Sequence, residues 1–337
     1  MKTSIKITSD LPGFQNMVGL ESLPGFINPA GFVLAFCLVC CAACDSDKIY
    51  QEEQYKNMVY LLSGSENIYT EAYTLNETES VRYFSVVCGG SNTNEKEIVV
   101  TIEPDLASFD RYNMMNFDHE NLYAKLLPAN RYEVGTYTVT IPAHPVDQYV
   151  KVPVKVRPLG LSPDTVYFIP LAIKSVSKYE VNDDKYNLLY RVTIENDYAR
   201  QKVVTYYTKK GTVINQSNSS ATVLTGNKIV HPMTGSKVRM FVGNYTQGSA
   251  STVDDITMYA IVVEVKEDNT LDITPYGTIE VEMLNAEGYN RYYPEVTQGT
   301  KVQRIFYLHY RYRILNANGM PGDWMEMKES LTRVEED

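Results

Sequence analysis

Short alternating segments constrain the fold of this chain more than any other feature of its sequence. From Tyr50 onward, apolar and polar residues alternate with a period of two, and turn-forming residues interrupt the runs at short intervals. This alternation is typical of strands that bury one face. Many short strands separated by turns favour a sandwich or a barrel over parallel βαβ units. The predicted strands are 81–87, 97–102, 135–141, 149–156, 190–195, 202–208, 237–242, 258–265 and 305–314.

Length and composition agree with two β-rich domains. The 337 residues are enough for two hydrophobic cores. The 27 Tyr residues lie among Val, Thr and Ile, which favours strands. Segments with a helical period are scarce, and only residues 106–126 are predicted to hold one or two short helical turns. A polar segment, Ser175 to Asp184, marks the predicted boundary, which divides the chain into domains at 55–178 and 179–337.

The sequence lacks the usual motifs of an enzyme or a nucleic-acid-binding protein. The formal net charge is −10 and no basic face is evident, which argues against nucleic acid as a partner. There is no P-loop, no dinucleotide-binding glycine motif, no nucleophile elbow and no HExxH pair. The acidic pairs Asp183-Asp184 and Asp254-Asp255 are predicted to be solvated turns rather than calcium or catalytic sites. We therefore predict no enzyme activity, no cofactor and no metal.

The N-terminal segment resembles a bacterial lipoprotein leader. The apolar, uncharged run from Gly31 to Ala43 is shorter than the ~20 residues that a membrane-spanning helix needs, and it fits a signal-peptide core. Ala42 and Ala43 precede Cys44, as in a lipobox, which implies that Cys44 is acylated. Residues 1–43 are then the signal peptide, and 44–54 are the lipidated N-terminus and linker. The alternative is a metal or disulfide cluster of Cys37, Cys40, Cys41 and Cys44, which the hydrophobic setting and the lack of partner cysteines disfavour.

The predicted strand 305–314 carries the most informative side chains. Alternation assigns Tyr307, His309, Arg311 and Arg313 to one face, and Phe306, Leu308, Tyr310, Tyr312 and Ile314 to a core face. An aromatic ring beside hydrogen-bond donors suits a sugar, whose C–H face stacks on the ring while its hydroxyls bind the donors. The alternative is an ordinary solvated sheet face, with Trp324 closing the end of the domain. The candidate ligand-binding residues are Trp324, Tyr307, His309, Arg311, Tyr292 and Tyr293.

Two sets of motifs resemble a known family. Residues 108–141, with Gly135-Thr-Tyr-Thr-Val-Thr-Ile141, and then Val166–Ile173 are similar to an Ig-like N-terminal domain of Bacteroidetes outer-membrane lipoproteins. That domain also precedes the catalytic domain of some surface endoglycosidases. The second half, including Val230-His-Pro-Met and Phe306–Tyr312, is similar to its usual all-β partner domain. The resemblance implies an Ig-like β-sandwich followed by a second antiparallel β-sandwich or barrel-like domain.

The resemblance also implies a role and a location. It indicates a lipid-anchored protein of the outer membrane, exposed at the cell surface and part of a polysaccharide-utilisation system. Such a protein binds glycan without catalysis beside a SusC/SusD-like importer. Asp45 and Asp47, directly after Cys44, look like the signal for surface export. The alternatives are a structural or adhesive surface lipoprotein, such as a pilus anchor or protein-binding module, and a cryptic hydrolase.

Overall fold

The computed structural model describes residues 55–248, 251–316 and 318–334. Strands dominate it, and the predicted all-β class is confirmed. Cys44 and the predicted signal peptide lie outside the described residues. In the part of the chain that is described, no helix has the length and apolar character needed to cross a membrane.

The first domain is a β-sandwich with one helix on its surface. Its strands are β1 Met58–Leu61, β2 Ile68–Thr74, β3 Ser80–Gly89, β4 Ile98–Pro104, β5 Lys125–Leu126, β6 Tyr132–Val134, β7 Thr138–Ile141, β8 Tyr149–Val156, β9 Tyr167–Val176, β10 Glu180–Val181 and β11 Asn187–Glu195. Helix α1 spans Leu106–Asn116, and short 3₁₀ helices span Ser65–Asn67, Glu120–Leu122 and Ala129–Arg131. The predicted short helical turns within 106–126 thus include a helix of 11 residues, whose N-cap is the Asp105 carboxylate.

Two sheets enclose the core of this sandwich. One has the order β10-β1-β3-β8-β6, and the other has the order β2-β11-β9-β4-β7, with β5 beside β9. Alternate residues of β3 and β8, such as Phe84 and Val154, are fully buried between the sheets. Cys88 is a buried free cysteine of β3.

The first sandwich extends past the predicted boundary at residue 178. The polar segment around Ser175–Asp184 connects β9 to β11 by way of β10, and β11 pairs antiparallel with β9. On its other edge, β11 pairs in parallel with β2. The sandwich therefore continues to Glu195. The polar segment that the sequence predicts to separate the domains is a connection between two strands of the same domain.

The second domain is built from one large antiparallel sheet. Its strands are β12 Thr205–Asn215, β13 Ala221–Pro232, β14 Lys237–Phe241, β15 Ala260–Val265, β16 Leu271–Pro275, β17 Glu280–Met283, β18 Arg291–Gln298, β19 Lys301–Arg313 and β20 Met325–Val334, and helix α2 spans Val253–Tyr259. The order is β16-β15-β14-β13-β12-β20-β19-β17, with β18 also paired to β19. The Ile273 N–H of β16 lies 3.2 Å from Met283 Sδ of β17, so the two ends of the sheet meet. The result is a nearly closed, barrel-like domain.

Helix α2 replaces the start of a predicted strand. The sequence predicts a strand over 258–265, but Met258 and Tyr259 end the helix and β15 begins at Ala260. The acidic pair Asp254-Asp255, predicted to be a solvated turn, lies in the first turn of α2. Thr252 and Asp255 form a capping box, in which each side chain accepts a hydrogen bond from the backbone N–H of the other. This local motif makes the segment helical.

Candidate functional site

The longest strand of the second domain, β19, has the two faces that alternation predicts. Phe306, Leu308 and Tyr310 are fully buried, and Tyr312 is 4% exposed. The opposite side, which we call the outer face of β19, consists of Tyr307, His309, Arg311 and Arg313. Strands β17 and β18 pair with different halves of one edge of β19, and β20 pairs with the other edge. The outer face of β19 is therefore flanked by paired strands on both sides and does not lie at a sheet edge.

Three tyrosine rings meet at one end of this face. The ring centroid of Tyr307 lies 6.2 Å from that of Tyr289 and 5.5 Å from that of Tyr293, with interplanar angles of 87° and 88°. Such edge-to-face contacts fix the rings relative to one another. We call Tyr289, Tyr293 and Tyr307 the tyrosine cluster. Tyr293 is 37% exposed, so the cluster reaches solvent.

Tyr292, predicted to bind ligand together with Tyr293, is a core residue instead. It lies opposite Phe306 in the β18–β19 ladder and is 4% exposed. Its ring centroid lies 4.6 Å from that of Phe306 and 5.0 Å from that of Tyr198. Successive residues of a strand point to opposite faces, so these adjacent tyrosines cannot both face a ligand.

His309 is nearly buried beneath the tyrosine cluster and contacts the Tyr289 ring. It is 6% exposed, and its Nε2 lies 2.9 Å from Glu326 Oε1 on the neighbouring strand β20. The Asn290 side-chain oxygen accepts the His309 backbone N–H at 2.9 Å, which holds the β17–β18 loop over the strand. The Tyr289 ring packs against the imidazole, with centroids 5.6 Å apart. His309, predicted to contact a ligand, is therefore nearly buried and packs beneath the Tyr289 ring.

Trp324 and the arginines form the other end of the outer face. The guanidinium carbons of Arg311 and Arg313 lie 4.5 and 4.7 Å from the Trp324 ring centroid. Arg311 donates to Glu282 at 2.9 and 2.5 Å, and Arg313 donates to Glu280 at 2.9 and 2.6 Å. These cation–π contacts fix a half-buried indole beside charges that are already paired. A neutral ligand suits this end better than an anionic one.

A polar cleft of about 390 Å³ lies beside the tyrosine cluster. It is located where the start of β16 meets β18, since Thr270 and Arg291 form a β-bridge. The cleft is lined by Thr270, Leu271, Met283, Asn285, Ala286, Glu287, Tyr289, Asn290 and Arg291. Side-chain amides, a carboxylate and a guanidinium therefore surround a cavity that has an aromatic wall, which is the mixture that a polyhydroxylated ligand requires.

The Glu326 carboxylate beneath the outer face is ionised at neutral pH. The hydrogen bond from His309 lowers the pKa of Glu326, against the opposing effect of its partial burial. A carboxylate with a lowered pKa cannot serve as a general acid near pH 7. Among the described residues, no group of three or more His, Cys, Asp or Glu side chains is placed to hold a metal ion.

Sequence reasoning found β19 but missed much of its surroundings. Glu282, Glu326 and Gln216 complete the outer face and lie on three other strands or turns. Arg311 and Gln216 are separated by 95 residues in sequence. Of the residues that surround the outer face, Tyr289 is the one that the sequence indicates as part of the site, because it belongs to the same Tyr-rich segment as Tyr293.

Solved structures share this fold. A Bacteroides ovatus protein of unknown function is similar at 18% sequence identity with a TM-score of 0.65, and the match covers 82% of this chain and 94% of that chain. An auxiliary nutrient binding protein from Bacteroides thetaiotaomicron is similar at 12% identity with a TM-score of 0.57, over 81% of this chain and 92% of that chain. At these identities the likeness concerns the fold. No curated protein matches the chain.

Two family models match the sequence in succession. One, described as an N-terminal domain, matches residues 55–180, and the other, described as C-terminal, matches residues 186–332. The point between them precedes β11, although β11 is hydrogen-bonded within the first sandwich. The chain is therefore similar in sequence to this N-terminal domain over residues 55–180 and to this C-terminal domain over residues 186–332.

Proposed function

We propose that the chain binds glycan at the outer face of β19 and in the adjoining cleft, without catalysis. The observation that carries the proposal is the tyrosine cluster beside the polar cleft of about 390 Å³. Sugar rings present C–H faces that stack on aromatic rings and hydroxyls that bind amides and charged groups. Because Arg311 and Arg313 are both paired with glutamates, the surface suits neutral sugars.

The absence of catalysis is part of the proposal. Glycoside hydrolysis needs one carboxyl group that is protonated at the working pH and a second that is ionised. Glu280 and Glu282 each accept hydrogen bonds from an arginine, and the pKa of Glu326 is lowered. A carboxylate whose pKa is lowered, as that of Glu326 is, does not supply the protonated acid. The arrangement supports binding rather than bond cleavage.

The fold likeness gives separate support for a binding role. The structure from Bacteroides thetaiotaomicron is described as an auxiliary nutrient binding protein, and its fold is similar over 81% of this chain. We infer a comparable accessory role here, with an oligosaccharide or polysaccharide as the nutrient.

We further propose that the protein is anchored to the outer membrane, exposed at the cell surface, through a lipid on Cys44. The support is the apolar run from Gly31 to Ala43 followed directly by that cysteine. A SusC/SusD-like importer is the proposed partner. Mass spectrometry of the mature N-terminus tests the anchor, since it should find an acylated Cys44. An unmodified or uncleaved N-terminus would remove this part of the proposal.

A glycan panel tests the proposed binding. We expect retardation of the protein in affinity gels that contain its glycan, and heat release in calorimetry. Tyr307→Ala and Trp324→Ala should each weaken binding by about 1 kcal/mol, roughly fivefold in Kd. Tyr83→Ala is the matched control, because Tyr83 is a tyrosine of the first sandwich that is 47% exposed.

Two outcomes would reject glycan binding at this surface. One is the absence of any interaction across a broad panel of neutral glycans, and the other is binding that Tyr307→Ala and Trp324→Ala leave unchanged. A protein partner captured in the absence of glycan binding would select the structural or adhesive alternative. Release of products from labelled oligosaccharides would contradict the absence of catalysis.

A further inference from the structure

A second cavity lies where the first sandwich meets the second domain, and it has a volume of about 180 Å³. The sandwich contributes the segment before β9 and one residue of β11. The second domain contributes the start of β12, the segment before it and the end of β13. The lining residues whose chemistry matters here are Asp164, Arg191, Arg200, Gln201 and His231.

The acidic side chain of this cavity is already neutralised. Asp164 accepts two hydrogen bonds from Arg239, each of 2.6 Å, in a bidentate pair. Arg239 is completely buried, so Asp164 is its necessary counter-ion. Gln201 is equally committed, since its amide nitrogen donates to the carbonyl oxygens of Pro163 and Thr165. Neither side chain is free to serve Arg191.

Arg191 is a partly buried cation whose Nε has no hydrogen-bond acceptor. Its Nε is buried and has no hydrogen-bond partner, and no carboxylate pairs with its guanidinium within residues 55–248, 251–316 and 318–334. Charged groups in such settings are normally paired, because desolvation without a partner is unfavourable. An anionic ligand in the cavity would supply the acceptor that this buried Nε lacks.

Two neighbouring groups make the cavity more favourable to an anion. Arg200 lines it and is held only loosely by Glu195, at 3.8 Å. His231 has a buried Nε2 without a hydrogen-bond partner. Burial first, and then the Arg239 charge, lowers the pKa of His231 to about 4. The imidazole is consequently neutral at pH 7 and can donate a hydrogen bond without carrying a charge.

We propose that this cavity binds a small carboxylate ligand, which the Arg191 guanidinium holds in a bidentate manner. Guanidinium and carboxylate groups match in shape and charge, and such pairs are among the strongest hydrogen bonds in proteins. A cavity of roughly 150 Å³ accommodates a molecule the size of benzene. The cavity here therefore has room for a carboxylate on a short carbon skeleton, such as a short-chain acid or a single sugar acid, but not for a polymer.

The carboxylate site does not depend on the proposed glycan site. It is lined by none of the residues of the outer face of β19 or its cleft. Tyr307→Ala and Trp324→Ala should leave carboxylate binding unchanged, and Arg191→Gln should leave binding of neutral glycans unchanged. The failure of one proposal is therefore distinguishable from the failure of the other.

Calorimetric titration of the protein with sodium acetate, sodium glucuronate and neutral glucose, at constant chloride concentration, tests the proposal. We expect saturable binding of at least one carboxylate and none of glucose at this site. Arg191→Gln should weaken binding about tenfold or more, and Arg191→Lys should restore part of it. Arg157→Gln is the matched control, because Arg157 pairs with Glu79 and does not line the cavity. Binding of acetate alone would identify a short-chain acid, and preference for glucuronate would identify a sugar acid.

The proposal is overturned if neither carboxylate binds the unmodified protein, or if Arg191→Gln binds as tightly as the unmodified protein. Equal binding of glucose and glucuronate, both reduced in Arg191→Gln, would also overturn it, because the carboxylate would then be irrelevant. If Arg191→Gln cannot be purified as a folded protein, Arg200→Gln replaces it. The Arg200 side chain is 66% exposed, so the fold should tolerate the change. Arg200→Gln should weaken carboxylate binding about threefold at low salt. An unchanged carboxylate affinity in this variant would reject the site.

Discussion

Lys228 and Glu329 form a salt bridge inside the second domain. Lys228 Nζ lies 2.7 and 2.6 Å from the two carboxylate oxygens of Glu329, and the side chains are 2% and 0% exposed. The Tyr310 hydroxyl donates to the same carboxylate at 2.9 Å. Burial lowers the pKa of Lys228, which the Glu329 charge opposes. The pair joins β13 to β20 across the intervening strand β12, and so holds one side of the barrel-like sheet together.

Removing only Lys228 should destabilise the second domain strongly. Lys228→Met leaves Glu329 buried without a counter-ion, which should lower the free energy of unfolding by about 3–5 kcal/mol. Replacing both partners, with Lys228→Met and Glu329→Leu, should recover most of that loss, because the unpaired Glu329 charge is removed and the buried Lys209 keeps its hydrogen bonds to Gly243 and Asn244. Urea unfolding followed by fluorescence measures this directly, since Trp324 is the single tryptophan and lies in this domain. A double variant less stable than Lys228→Met would contradict the expectation.

Acid should destabilise the protein through His231. Its folded pKa of about 4 lies below the ordinary value of 6.5, because of burial and then the Arg239 charge. The unfolded chain therefore binds the proton more readily, and stability should fall as the pH drops from about 6.5 to about 4. The loss from this group is about 3 kcal/mol over that window. Asp164 faces the same cluster, and the Arg239 hydrogen bonds hold its pKa below its usual range, so its contribution is lost only at lower pH.

Urea unfolding in buffers from about pH 7 to about pH 4 measures the effect of His231. His231→Gln should flatten the pH dependence in this window, because glutamine does not titrate. His119→Gln is the matched control, since it makes the same substitution at an exposed histidine of the first domain. A slope that survives His231→Gln would assign the pH dependence to another group.

The sequence predicts features that depend on neighbouring residues, and it fails for those that depend on distant ones. Alternation within β19 correctly separates core and outer side chains because the period of a strand is local. The Lys228–Glu329 pair spans 101 residues, and the Asp164–Arg239 pair spans 75, so no local pattern reports either. Strand β13 was not predicted because only one of its first seven residues is buried. Those seven residues therefore lack the alternation of apolar and polar side chains that marks a strand.

Gly243 should not tolerate a larger side chain. Its φ is +54°, and an added Cβ would lie 2.2 Å from Tyr312 Oη. Gly243→Ala should therefore destabilise the domain by about 1–3 kcal/mol, through overpacking as well as backbone strain. Gly299→Ala is the matched control, because Gly299 has a φ of +66° but no neighbouring atom within 4 Å of the added Cβ. Thermal unfolding should show the larger loss for Gly243→Ala, and equal losses would mean that the Tyr312 contact is relieved without cost.

The adjacent tyrosines Tyr292 and Tyr293 should have separable effects. Tyr292→Ala removes a ring packed against Phe306 and should lower the free energy of unfolding by about 3–5 kcal/mol. Tyr293→Ala removes a ring that is 37% exposed, so stability should change by less than about 1 kcal/mol. The order should be reversed for glycan affinity, with the larger loss in Tyr293→Ala. This comparison is made at low temperature, where both variants are folded. Urea unfolding and affinity electrophoresis of the two variants measure the two properties. If Tyr293→Ala bound glycan normally while Tyr307→Ala did not, the ligand would contact the Tyr307 side of the cluster alone.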